Sequence, residues 1–479
     1  MISEQSMAEQ SERPNIILLS VDCWRGDHIG LQDGSATKTP NIDKFARQAT
    51  WFSNHYTCGG WTKIAMTALF SSTYSSQFNF AQGKIESERP MLADQLQAAG
   101  YKTIGITSNP VCGAAQGFDR GFDEFVDIQP VVETSLVDRI FALRGSGIFL
   151  SRRLVRKFLS LVGMHPDPPR PACNAGEVIN QGLSRLKESH DKPFFLWLHF
   201  MDLHWPYQSA QRPKTSDEKE AVWKDRILWK NNRSCRGQFD PGPERSERWK
   251  QLYREELEEM DRHFGNLFDA LYEMENWENT HVVLTSDHGE EFFEHGTWAH
   301  SWNQMHKEGA HVPLIVHKAK TQQVPNVAKT VSQIDIAPTI LDLADVSQPQ
   351  SMLGQSLTGS LANQNESEQR PVYSEMHGHR NSTIYRLSII HDGYKYIYDG
   401  DRDCCFLFEI SKDQDERHDI YNKDDSVSRR FDQLRLKHVS TGFLNILRSK
   451  NPVIGEDILY DIDADPKVVE RLRALGYLD

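Results

Sequence analysis

The chain has 479 residues, 38% apolar and 25% charged, and a net charge of −13 from 54 Lys and Arg against 67 Asp and Glu. Length and composition exclude a disordered or collagen-like chain and allow a large buried core. The acidic balance argues against a protein that coats nucleic acid, which needs a basic surface, but leaves room for a local anion pocket.

The N-terminus, Met1 to Arg13, lacks the basic and apolar regions of a secretory signal, and no apolar run reaches membrane-span length. The seven cysteines show no C-x-x-C pair. Both features lead to the expectation of a reduced, cytoplasmic setting. Asn15–Val21 (NIILLSV) is a continuous apolar run and predicts a strand buried on both faces, as in a parallel sheet. It ends at Asp22, where α/β sheets form their sites. A helix is expected over Ile42–Gln48 with Asn41 as its cap, and another over Thr62–Phe70 after Cys58-Gly59-Gly60. Leu92–Ala99 reads as helix and Lys102–Thr107 as strand, which is βαβ alternation.

The segment Leu136–Leu161 is basic and amphipathic and reads as a helical insertion with a charged face, or as a lid. A helix follows at Gly176–Ser189 and a core strand at Pro193–Phe200. Gln208–Trp249 is a long polar insertion, and Trp249–Leu271 a strongly amphipathic helix. Strands are expected at His281–Thr285 and Pro313–His317, and a helix at Ile334–Ala344. After a polar linker, Asn363–Gln369, the period changes. Val372–Met376, Thr383–Ile390, Tyr394–Tyr398 and Cys405–Glu409 predict a small antiparallel sheet, with helices near Ser426–Arg448 and Pro466–Ala474.

Asp22, His204 and Asp287-His288 each follow a predicted core strand. Parallel strands aim their C-terminal ends at one edge, so these residues can converge. Two carboxylates and an imidazole form a start for a divalent-ion site. Asp22 alone would read as a helix cap, and Thr62 as the N-cap of the helix it opens. Histidine is unusually dense: of 19, His288, His295, His300, His306, His311 and His317 fall between residues 288 and 317. The spacings His295-x4-His300 and His306-x4-His311 contain Gly296 and Gly309, which argue against regular helical zinc sites. No H-E-x-x-H, Walker A or G-x-S-x-G motif is present.

The blocks PNIILLSVDCWRGDHIG, TPNIDKFARQATWFSNHYT, GWTKIAMTALFSS, FLWLHFMDLHWPY, VVLTSDHGEEFFEHGTW, HVPLIVH and LRALGYLD run in order from residue 14 to 479. Together they resemble sulfatases of the alkaline-phosphatase superfamily. The resemblance implies an α/β fold with a mainly parallel central sheet flanked by helices and a smaller C-terminal antiparallel sheet. It also implies a catalytic domain over 14–345, with insertions at about 130–170 and 208–248, and a C-terminal subdomain over 365–479.

The likeness breaks at two places. Sulfatases bind their metal through an Asp pair after the first strand; Asp22 matches the first, and Cys23 stands at the second. Their nucleophile is a Cys or Ser in C/S-x-P-x-R, converted to formylglycine. Ten residues before Ser72 this chain reads Thr62-Lys63-Ile64-Ala65-Met66, with Cys/Ser, Pro and Arg all missing. A formylglycine hydrate releases sulfate by collapsing to the aldehyde. A threonine sulfate has no such route, whereas a threonine phosphate can be resolved by in-line attack at phosphorus.

The expected function is therefore metal-dependent hydrolysis or transfer of phosphate, phosphonate or phosphodiester groups through Thr62. The alternatives are a sulfatase lacking formylglycine and an inactive family member that binds anionic glycans. The expected metal ligands are Asp22, Thr62, Asp287 and His288, holding one divalent ion. Loss of a carboxylate at Cys23 favours zinc or manganese over calcium or magnesium, and Cys23 is itself a weaker ligand candidate. His204 and His300 are expected at the reacting group, with Lys63, Arg25 and Asp202 as substrate-side candidates; Arg25 could instead make a structural ion pair, and Asp202 could orient His204. The implied substrate is a small-molecule or glycan phospho or sulfo ester, with no nucleic-acid partner. The other four clustered histidines are expected to be structural.

Overall fold

The computed structural model describes residues 13–32, 35–77, 84–85, 89–128, 174–187, 192–205, 207, 240–300, 305–321, 326–362, 369–377, 385–400 and 402–448. The expected helix Leu136–Leu161, residues 208–239 of the 208–248 insertion, most of the linker Asn363–Gln369 and the helix near Pro466–Ala474 lie outside them.

Strand β1, Asn15–Val21, is fully buried at the middle of an eight-stranded sheet. The sheet runs β10 (Asn326–Ser332), β2 (Thr50–Tyr56), β9 (Leu314–His317), β6 (Thr280–Ser286), β1, β5 (Phe194–Phe200), β3 (Lys102–Thr107) and β4 (Glu124–Asp127). Only β9 is antiparallel to its neighbours. Side chains alternate across β1. Ile17, Leu19 and Val21 join the core under helices α1 (Pro40–Ala46), α4 (Ala175–Leu186) and α5 (Pro243–Tyr272). Ile16 and Leu18 join the opposite core, under α2 (Thr62–Ser71), α3 (Leu92–Ala98) and α6 (Ile336–Leu343). Apolar side chains on both faces explain the unbroken NIILLSV run. Each fully buried large aliphatic side chain stabilises by roughly 1.5–3 kcal/mol, so this strand anchors the three layers.

Helix α5 buries Trp249, Tyr253, Leu257, Met260, Phe264, Phe268 and Leu271, a stripe at three- and four-residue steps. It starts at Pro243, so its first turns occupy residues assigned to the insertion from sequence; Pro at the first helical position is well placed there. Helix α1 starts at Pro40, and Asn41 is inside it rather than its cap. The first-turn donors of Asn41 and Ile42 are instead accepted by Asp261 of α5. Helix α4 begins at Asn174, whose side chain accepts from Glu177 N while Glu177 accepts from Asn174 N.

A four-stranded antiparallel sheet follows: β11 (Val372–His377), β12 (Tyr385–His391), β13 (Tyr394–Asp399) and β14 (Cys404–Phe408). The β12–β13 turn places Asp392 and Gly393 at φ 48° and 78°, the left-handed pair a two-residue hairpin needs. Helix α7 (Ser426–Arg448) covers this sheet through Phe431, packed on Leu387, Ile389, Tyr396 and Leu407. A two-stranded hairpin, β7 (Glu291–Phe292) with β8 (Trp298–Ala299), leads into His300. Among the described residues no helix is long and apolar enough to cross a membrane.

Candidate active site

Strand register brings the site together. Val21 of β1 sits opposite Phe200 of β5 and Ser286 of β6. The ladder continues one step further, with Asp22 N donating to Phe200 O at 2.8 Å and Asp287 N to Val21 O at 3.3 Å. Asp22 and Asp287 therefore leave the sheet side by side. Tyr253 of α5 clamps the turn, donating to Cys23 O and accepting from Arg25 N. Gly289 follows His288 because a Cβ there would collide with the Glu308 carbonyl.

Thr62 enters from the other side of the sheet. Its helix is capped by Trp61 with no side-chain cap bond, so the sequence expectation of an N-cap threonine is not met. The hydroxyl instead donates to Asp22 Oδ2 at 3.4 Å and lies 3.2 Å from His288 Nε2. The preceding loop is held by the C-terminal sheet, with Glu375 N donating to Cys58 O. Gly59 allows that approach: a Cβ would press on Glu375 O and Ile64.

Asp22, Asp287, His288 and Thr62 are fully buried. His288 Nδ1 lies 2.9 Å from Gly289 O, the contact of a protonated Nδ1, which leaves Nε2 as a lone-pair donor. Asp287 Oδ1 accepts from Cys23 N and His288 N, while its Oδ2, 3.4 Å from His288 Nε2, has no hydrogen bond. Burial, then the Asp22 charge, pushes Asp287 up to about 6. Burial also opposes the Asp22 charge, but His199, His204 and His288 outweigh it and hold Asp22 far below the usual carboxylate range. A cation would relieve both the orphaned oxygen and the carboxylate repulsion, so the donor set fits a divalent ion.

Cys23 adopts φ 63°, a left-handed conformation uncommon for a residue with a Cβ. Its thiol donates to Asp22 Oδ1 at 2.9 Å and lies 3.5 Å from His300 Nδ1. Burial and the surrounding carboxylates keep its pKa well above the ordinary value, so it stays protonated.

His204 and His300 meet over this floor, with ring centroids 4.8 Å apart, and His300 is 4.9 Å from the His288 ring. His300 Nδ1 pairs with buried Glu290 at 3.3 Å. Burial opposes its charge, but Glu290, Asp22 and Asp287 outweigh burial and raise its pKa. His204 Nδ1 is oriented by Trp205 O at 2.5 Å, and burial pushes this histidine down to about 4.

The three substrate-side candidates have other placements. Arg25 grips Asp27 with two bonds and Glu294 with a third, and is 4% exposed, so its guanidinium serves an ion-pair network. Asp202 Oδ1 accepts from Ala175 N at the start of α4. Lys63 is buried and donates to Gln116 at 2.7 Å; burial pushes its pKa down to about 7.

Sequence reasoning missed Asn109, whose Nδ2 donates to Asp22 Oδ2 at 2.6 Å. It follows β3 at the same sheet edge, and that position was the available signal. It also missed Glu290, three residues after Asp287, and His199, whose Nε2 is 3.8 Å from Asp22 Oδ2.

The family model described as Sulfatase matches residues 14–346, and the model described as N-sulphoglucosamine sulphohydrolase, C-terminal, matches residues 293–439. Arylsulfatase K of Bos taurus is 30% identical over 88% of this chain and 81% of its own length. The multifunctional alkaline phosphatase superfamily protein PehA of Trinickia caryophylli is 25% identical over 76% of this chain and 80% of its own. The crystal structure of the phosphonate monoester hydrolase of Agrobacterium radiobacter shares the fold, with a TM-score of 0.66 and 17% identity over 90% of this chain and 96% of that one. With its mostly parallel sheet, its strand-end carboxylates and a family match across most of its length, the chain belongs to the sulfatase family and has the hydrolase fold of the alkaline-phosphatase superfamily.

Proposed function

We propose that this family member cleaves or transfers phosphate, phosphonate or phosphodiester groups with unmodified Thr62 as the nucleophile. The observation that carries the proposal is the Thr62 hydroxyl, set between Asp22 and His288 at the helix start where the family carries its formylglycine. Asp22, Asp287, His288 and Thr62 are the residues that would hold a divalent cation. Their mixed nitrogen and oxygen donors suit zinc or manganese better than calcium or magnesium, which take more oxygens. When bound, such an ion supplies Lewis acidity, lowering the hydroxyl pKa and offsetting charge on the transferring group.

Thr62 passes its hydroxyl proton to Asp22 Oδ2, to which it is hydrogen-bonded, and Oγ1 forms a bond to phosphorus as the ester oxygen leaves. His300, held beside Glu290, is the proton donor to that leaving oxygen. His204, whose Nδ1 donates to Trp205 O, presents its Nε2 lone pair as an acceptor for the attacking water or acceptor hydroxyl. Water or an acceptor hydroxyl then attacks phosphorus and gives its proton to neutral His300, while the bond to Thr62 Oγ1 breaks and Oγ1 takes its proton back from Asp22. Asn109 and His199 position Asp22 rather than touching substrate.

A second reading, sulfate-ester hydrolysis without formylglycine, is favoured by the likeness to arylsulfatase K. Aryl phosphate, phosphonate, phosphodiester and sulfate esters with one leaving group separate the two. The first reading expects the phosphorus esters to turn over faster; faster sulfate turnover reverses the order. A cytoplasmic setting is part of the proposal, supported by free thiols at Cys23, Cys58, Cys112, Cys404 and Cys405 among the described residues.

A further inference from the structure

Asp22 and Asp287 stand on a polar layer inside the sheet. Strand pairing sets Ser20 of β1 opposite His199 of β5 and Thr285 of β6, one alternation before the two carboxylates. Side chains two apart on a strand share a face, so Trp197 and His199 of β5 both lie on the side of Ser20. Trp197 Nε1 donates to Ser20 Oγ at 2.9 Å, and Ser20 Oγ lies 2.8 Å from His199 Nδ1. At the other end of the ring, His199 Nε2 is 3.8 Å from Asp22 Oδ2. Trp197, Ser20 and His199 are all fully buried.

Donor and acceptor roles follow along this row. An indole N–H can only donate, so Ser20 Oγ accepts from Trp197. The single hydroxyl proton of Ser20 then goes to His199 Nδ1, which offers a lone pair. With a proton on Nδ1 instead, two donors would point at Ser20 Oγ, and the buried hydroxyl proton would lack an acceptor, which is costly. The imidazole proton therefore sits on Nε2 and faces the carboxylates. Without that proton, Asp22, His199 and Asp287 would make a cation site of their own. Their ligand atoms lie within 4.8 Å of one another, and neither His199 Nε2 nor Asp287 Oδ2 has a hydrogen bond. A protonated Nε2 has no lone pair for a cation.

We propose, resting on the ion site proposed above, that Trp197 and Ser20 fix the tautomer of His199, and that His199 thereby keeps the divalent ion on the Thr62–His288 side of the carboxylate pair. His199 is a positioning residue. Its Nε2–H faces Asp22 and Asp287 as a donor and closes the deeper side of the pair to a cation. With the other tautomer, the His199 Nε2 lone pair would compete with His288 Nε2 for the ion and draw it from the Thr62 hydroxyl. Partners that fix a tautomer around a metal ligand set act in this way, through groups that never touch substrate.

Neutron diffraction from the perdeuterated, ion-free chain reads the tautomer without any substitution. The map should place a deuteron on His199 Nε2, none on Nδ1, and the Ser20 hydroxyl deuteron on the line to Nδ1. A deuteron on His199 Nδ1, alone or with one on Nε2, overturns the proposal. In zinc-loaded crystals, anomalous scattering should place the ion against His288 and clear of His199; an ion on His199 Nε2 overturns it too. A chain that takes up no zinc refutes the ion site above and the placement role with it, whereas a misplaced deuteron refutes the tautomer relay alone. At full zinc occupancy, Ser20→Ala should lower kcat about 10–100-fold with KM little changed. The same change in a His199→Gln background should add nothing, since glutamine has no tautomer to fix. Equal losses in both backgrounds would mean that Ser20 does not act through His199, and would overturn the relay.

Discussion

Thr62 Oγ1 lies 3.2 Å from His288 Nε2, although 226 residues separate the two. The hydroxyl arrives at the start of α2, and the imidazole leaves the end of β6. The contact exists because β2 and β6 direct their C-terminal ends toward the same sheet edge. A hydroxyl beside an imidazole and two buried carboxylates is the arrangement that the proposed nucleophile and its metal site require.

Asn109 should matter through Asp22 rather than through substrate. Its amide donates to Asp22 Oδ2 at 2.6 Å, so Asn109→Ala frees that carboxylate to turn. Outer partners of metal ligands typically contribute about 10–100-fold in affinity or activity. We expect a loss of that size in divalent-ion affinity by titration, with KM for the ester little changed. A raised KM with intact ion affinity would place Asn109 on the substrate instead.

His300 is assigned as the proton donor to the leaving oxygen, and leaving groups test this. Positioned acid catalysis contributes about 10²–10⁴-fold. His300→Gln should lose that much with an alkyl ester, whose leaving group needs a proton, and far less with a nitrophenyl ester. Equal losses across the series would remove His300 from this role.

Arg25 was a substrate candidate in sequence, and the structure gives it Asp27 and Glu294. Burial opposes the Glu294 charge, but Arg25 outweighs it and holds Glu294 down to about 2. Removing one partner of a buried ion pair costs about 3–5 kcal/mol. Arg25→Gln should therefore lower denaturant stability by an amount of that order and leave KM unchanged. A raised KM with full stability would return Arg25 to the substrate.

His281, at the start of β6, accepts a hydrogen bond from Ala319 N at 2.9 Å and is 7% exposed. Burial, aided by His317, Lys318 and Lys320, pushes it down from 6.5 to about 4. The folded pKa is depressed, so the unfolded chain takes up the proton first as pH falls. Stability present above pH 6.5 is then lost between about 6.5 and 4, by on the order of 3 kcal/mol. His281→Gln keeps an acceptor for Ala319 N and should flatten the unfolding free energy across that window. An unchanged slope would mean His281 does not carry it.

Much of the site was legible because its residues follow apolar runs. NIILLSV before Asp22, FFLWLHF before His204 and HVVLTS before Asp287 mark three strand ends without any tertiary knowledge. Edge and near-edge strands were not. In β10 the first five residues are exposed or half-buried, and β2 interleaves Asn54 and His55 with its apolar positions, so neither reads as a buried run. Asn109 and Glu290 were missed because each acts through a partner brought in by the sheet. His295 and His306 were judged by spacing along the chain, where Gly296 and Gly309 rule out a helical pair. They meet through the β7–β8 turn, a relationship that spacing does not encode.

The central claim is that Thr62 carries the chemistry unmodified. The direct measurement is steady-state turnover of an aryl phosphonate or phosphodiester by the wild-type chain, Thr62→Ala and Thr62→Ser, each checked for native divalent-ion content. The account predicts a loss of at least about 10³-fold in kcat for Thr62→Ala and partial retention in Thr62→Ser, which keeps a hydroxyl. Turnover by Thr62→Ala within a few-fold of wild type would contradict it.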